Sequence, residues 1–262
     1  MKRILLICLY FVLMNCSLFG MNFKETDDLS EEIVKKRLGI TVRTTIASRY
    51  KSVGRSKFGD EGLFGNGVTM DIGNGFSFDI SSYYPIGSGY ENSKKFGYTI
   101  FYKTKFFDEK NYEIEMKAKH LFYNIINGNR YNNYQESGVK FSLTNLINFN
   151  NGDKLVPSYY PLIFWKHTGS AYNGTAHILG LDYVKNINDK CKMRIYYDLT
   201  YNDSIGNSRS TFSHSMIGIS VDISLDENIM ISPFYNYQMT LDENICGEDS
   251  GPYYGIIFKI KF

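Results

Sequence analysis

From about residue 38 to the C-terminus, apolar side chains recur at every second position, and that period leaves the chain few ways to fold. Successive side chains of a strand point to opposite faces, so each such stretch is apolar on one face and polar on the other. The C-terminal stretch is the clearest case. Tyr254, Ile256, Phe258, Ile260 and Phe262 share one face, while Tyr253, Gly255, Ile257, Lys259 and Lys261 share the other.

The same alternation predicts strands at about 38–50, 63–72 and 76–84, then eight further strands that contain the alternating residues 96–106, 112–119, 139–144, 159–166, 179–183, 192–201, 217–225 and 229–239, and a last at 252–262. Asn74-Gly75 separates the second from the third, because Asn-Gly is a tight-turn signal between alternating runs. Pro157 and Pro161 work against the seventh, since each removes a ladder donor. The connections alternate in length. PIGSGYENSK, NGNRYNNYQE, HTGSAYNG, SIGNSRS and ENICGEDSG are long; NG, DEKN, NNGD, NIND and DEN are short. About twelve strands of roughly nine to thirteen residues are each long enough to cross a bilayer when tilted.

A soluble sandwich also alternates, but it buries its apolar face as a core and closes in far fewer residues. A soluble barrel of this size would need a correspondingly large apolar interior. The opposite arrangement, apolar outside and polar inside, needs lipid as its solvent. Mean hydropathy of −0.27 is far too polar for a helical membrane protein. The formal net charge of +2 gives no basis for a nucleic-acid partner.

The N-terminus carries Met1-Lys2-Arg3, an apolar run from Ile4 to Met14, and Gly20 before Met21. A basic start, a short apolar run and a small residue read as a secretory signal peptide over 1–20, and the run is too short to span a bilayer as a helix. The alternative is a lipoprotein signal ending at Cys16, from which Met14 and Asn15 depart. Residues 21–37 are polar and charge-rich and form a periplasmic lead-in; 38–262 form the barrel. Beyond the leader only Cys191 and Cys246 remain. The topology puts them at opposite ends of the barrel, too far apart for a disulfide, and no spacing resembles a metal site.

The terminal strand, the even strand number and the alternating connections together resemble the bacterial outer-membrane β-barrels, a broad class that includes the porins. The resemblance implies an all-β fold, an antiparallel up-and-down transmembrane barrel with long extracellular loops and both termini periplasmic. It further implies that Phe262 belongs to the signal read by the barrel-assembly machinery. The partners would be outer-membrane lipid, that machinery and periplasmic chaperones.

With the apolar face outward, the inward charges fall mainly in the periplasmic half: Arg43, Asp71, Asp79, Lys103, Lys105, Glu113, Glu115, Lys117, Asp182, Lys192, Arg194, Asp222, Lys259 and Lys261. The extracellular half is thinner in charge, with Lys140 and Lys166. Two readings stay open. Opposite charges on neighbouring strands stabilise each other and would seal a narrow lumen, or they form a constriction that sorts small polar or ionic solutes.

A hydrolase is the other class to test. Outer-membrane phospholipases of about this size place His and Ser two residues apart on one strand face. None of His120, His167, His177 or His214 has Ser two residues later, and the serines flanking His214 are expected on the opposite face. An omptin-like protease would cluster Asp and His at the extracellular rim, where His167 and His177 read as solvated loop residues. No catalytic set, cofactor or metal is assigned. The expectation is a small pore for ions or small polar solutes in the outer membrane, with an adhesin acting through a ligand at its extracellular loops as the alternative.

Overall fold

In the computed structural model the described residues are 39–49, 51–52, 55–56, 61–87, 94–107, 114–125, 134–149, 152–166, 173–204, 210–246 and 250–262. The leader and lead-in expected over 1–37, Cys16 included, lie outside them. Residues 38–262 form one compact unit.

Twelve barrel strands follow in chain order. They are β1 (Ile40–Ala47), β2 (Leu63–Gly73), β3 (Phe76–Pro85), β4 (Lys95–Phe106), β5 (Ile114–Ile125) and β6 (Tyr134–Leu143). Then come β7 (Lys154–Lys166), β8 (Gly174–Asn188), β9 (Cys191–Asp203), β10 (Thr211–Ser224), β11 (Ile229–Thr240) and β12 (Gly251–Lys261). Each strand runs antiparallel to the next. β12 returns to β1 with Thr41 opposite Lys261 and Ala47 opposite Gly255, so the sheet closes on itself. Closure leaves no strand edge facing lipid, which is what a membrane-spanning sheet requires. A two-residue hairpin (Lys51–Ser52 with Arg55–Ser56), a short strand Ile147–Asn148 and a helical turn Glu243–Cys246 complete the described elements.

The even strand number depends on the turn at Asn74-Gly75. Both residues have positive φ, 53° and 83°, the geometry of a two-residue hairpin whose twist matches its flanking strands. A side chain on Gly75 would begin 2.2 Å from the Lys103 carbonyl oxygen, so glycine is needed for contact as well as for φ. At the turn between β10 and β11, Asp226 Oδ1 accepts from the backbone N–H groups of Asn228 and Ile229, each at 2.7 Å.

The two faces are inverted relative to a soluble protein. Ile100, Leu179, Leu181, Ile217 and Ile219 point outward and are exposed, while Asp79, Thr99, Glu136, Ser232 and Gln238 are buried. Aromatic rings gather towards the strand ends of the outer face. Tyr159 and Tyr201 flank His177, and Tyr201 meets Phe212 edge-on. Such belts sit at the membrane–water boundary because the rings are apolar with one polar handle.

Several strands begin earlier than their hydrophobic pattern indicates. β6 starts at Tyr134, β7 at Lys154, β8 at Gly174 and β10 at Thr211. β7 tolerates its prolines: its ladder to β6 pairs Ser158, Tyr159, Leu162 and Ile163 and skips Tyr160 and Pro161. Cys191 is a free thiol at the start of β9.

Candidate functional site: the lumen

Inward-facing charges are brought together in three groups. The first joins β1 to β3. Arg43 stands directly opposite Lys259 in the β1–β12 register, and like charges so placed repel. Its guanidinium turns the other way, passes over β2, and reaches Asp79 at 3.6 Å. Asp79 also accepts from the Thr69 hydroxyl at 2.7 Å.

The second group lies on β4, β5 and β6. Lys103 is opposite Lys117, and Lys117 is opposite Lys140, so three lysines form a row across three strands. Glu115 holds two of them, at 2.7 Å from Lys103 and 2.7 Å from Lys117. Lys140 continues the row towards the third group, where Asp182, Arg194 and Asp198 act on it electrostatically. Lys140 therefore belongs to the charged belt rather than to the extracellular half, as its position in sequence had indicated.

The third group is Asp182 on β8 with Arg194 on β9, 2.8 Å apart. The Arg194 guanidinium also lies 4.8 Å from the centroid of the Tyr196 ring. Tyr196 hydrogen-bonds Asn236 of β11 across Gly218, where no larger residue would leave room.

The remaining predicted residues occupy the periplasmic rim. Asp71 accepts from Ser77 Oγ at 3.0 Å and Asp222 from Ser232 Oγ at 2.5 Å. Lys105 lines an open cleft with Asp71, Phe76 and Lys103. Lys192 is opposite Asp222, and both Lys192 and Lys261 are exposed. Glu113 lies outside the described residues. Phe262 is exposed, and its N–H donates to the Ile40 carbonyl at 2.8 Å, sealing the β12–β1 seam.

The extracellular half is richer in charge than the sequence indicated. Lys119 forms an ion pair with Glu136 and lies 5.6 Å from the centroid of Tyr160. Glu136 falls in a stretch that reads as loop, because Gln135 to Ser137 carry no apolar period. Buried Lys95 adds another cation there.

The histidines also need correction. His177 is on β8, not in a loop, and its Nδ1 is 2.7 Å from the Tyr159 hydroxyl. His167 lies outside the described residues. Ser213 and His214 do not face opposite ways: the β9–β10 register shifts beside Thr200, and the bulge brings Ser213 Oγ within 2.9 Å of His214 Nδ1. Ser213 Oγ also lies 3.3 Å from the Thr200 carbonyl oxygen, which can accept its proton; a second Ser–His contact, His120 Nδ1 with Ser137 Oγ at 2.7 Å, is exposed. Ser213 and His214 are both buried, and the pair satisfies the polar groups of the bulge.

The twelve-stranded closed barrel with a charged lumen and an apolar outer face is shared by solved structures. The KdgM porin superposes with a TM-score of 0.53 at 11% identity, covering 86% of this chain and 99% of its own. The NanC porin gives 0.52 at 13% identity, covering 85% of this chain and all of its own. The chain shares its fold with these two porins. No protein-family model and no curated protein matches the sequence.

Proposed function

We propose that the chain is a small pore of the outer membrane, exported by its N-terminal leader and passing ions or small polar solutes through the lumen. The observation that carries this reading is the solvent accessibility of the charged belt. Lys103 and Lys117 are about half exposed, at 51% and 52%, although they point into the barrel. A sealed interior would hold its ion pairs dry, because a confined pair needs its remaining hydrogen bonds met by protein. Here the lysine side chains stay open to solvent. A lipid-facing shell around a wetted, charge-lined interior is a conduit. The reading assigns no hydrolytic role to the two Ser–His contacts among the described residues, Ser213–His214 at 2.9 Å and Ser137–His120 at 2.7 Å.

The test is single-channel recording of the full chain refolded into planar bilayers, with heat-modifiable gel mobility to verify the barrel. Discrete conductance steps are expected. A folded barrel that passes no current would overturn the reading.

A further inference from the structure

Above the charged belt the lumen changes character. Leu162, Phe164 and Ala176 point inward near the extracellular ends of β7 and β8, yet they are only 4%, 3% and 0% exposed. Their partners include Tyr83. Tyr83 stands on β3, four strands away from β7 around the barrel, so this contact crosses the lumen. Tyr83 also packs against Ala47 and Leu63 on the near wall. Its ring is seated over Gly65, where an added Cβ would come 3.3 Å from Cδ1. One aromatic side chain thus ties the β1–β2 wall to the β7–β8 wall through an apolar layer. Phe234 extends the near side from β11.

The contrast with the belt is one of hydration. Half-exposed lysines lie below, and side chains that water barely touches lie above. An ion crossing a layer so tightly filled must shed part of its hydration shell, and such a constriction closes without any covalent block; Lys95 opposite Tyr83 and Glu136 opposite Phe164 are buried at its edge. We propose that the permeability barrier of the barrel is the dry outer layer, with Tyr83 as the residue that closes it. This rests on the pore reading and assigns the narrowest point to a different place from the periplasmic charged belt. The belt then sorts ions by sign, and the Tyr83 layer sets how often they pass.

The test is mean current through the refolded full chain in planar bilayers for the wild type, Tyr83→Ala, Leu162→Asn and the lipid-facing control Leu179→Ala. Tyr83→Ala widens the layer, whereas Leu162→Asn keeps its volume and adds polar atoms that hold water. Both are expected to raise mean current several-fold, with Leu179→Ala at the wild-type level. Should Tyr83→Ala fail to give a heat-modifiable barrel, Leu162→Asn decides alone. If the folded layer variants conduct no better than a conducting wild type, the barrier lies elsewhere and the proposal falls while the pore stands. If every folded variant is silent, the pore reading and the proposal fall together.

Discussion

The Arg43 guanidinium reaches the Asp79 carboxylate, 3.6 Å away, by crossing a whole strand, and it does so over Gly67. A Cβ at position 67 would sit 2.8 Å from Arg43 Nη2. The glycine on β2 and the ion pair on its two neighbours are therefore one feature. Asp79 is buried, so removing Arg43 leaves its carboxylate without a cation, held by the Thr69 hydroxyl. Arg43→Ala is expected to cost about 1–3 kcal/mol of folding stability, the usual penalty for stranding a buried polar group. Urea unfolding of the refolded barrel in vesicles measures it. Gly67→Ala should destabilise the wild type and cost much less in the Arg43→Ala background. Equal costs in both backgrounds would show that the two residues are uncoupled.

The outer face gives a sharper contrast. Ile217, in the middle of β10, is exposed among Tyr197 and Tyr237 of the flanking strands. Ile217→Arg is expected to cost roughly 2–4 kcal/mol, as for a cation near the bilayer midplane. Ser220→Arg, on the lumen face of the same strand, should cost far less because its charge meets water. Similar losses in the same vesicle unfolding experiment would mean that lipid does not surround the barrel.

Phe262 separates assembly from stability. Its backbone N–H closes the β12–β1 seam, while its side chain stays outside on the exposed face. The backbone bond survives Phe262→Ala. Spontaneous refolding into vesicles should then be nearly unchanged, while the fraction of heat-modifiable barrel recovered from cells falls if the side chain is read by the assembly machinery. Unchanged recovery from cells would remove that role.

The strand number was legible because a bilayer makes one face of every strand apolar, and this writes a period of two into the sequence. The period stops where the apolar belt stops. Backbone pairing continues above it: Tyr134, Gln135, Glu136 and Ser137 are already in β6, with no hydrophobic pattern to announce them. For that reason Lys119 could be placed on a strand face while its partner Glu136 could not. The Lys103–Lys117–Lys140 row was hidden differently, since it needs the register between three strands. Tyr83 meeting Leu162 and its neighbours across the lumen needs the closed barrel itself. The Ser213–His214 contact escaped because a bulge cancels the face rule on which its exclusion rested.

The most direct test of the central claim, that ions cross through this charged lumen, is the reversal potential across a salt gradient for the wild type, Glu115→Lys and Lys103→Glu. Glu115 offsets two lysines of the row at 2.7 Å each, so Glu115→Lys should move selectivity towards anions. Lys103→Glu should move it towards cations. Opposite shifts place the current inside the barrel beside these residues. Identical reversal potentials in all three proteins would contradict the account, because the current would then not pass the belt.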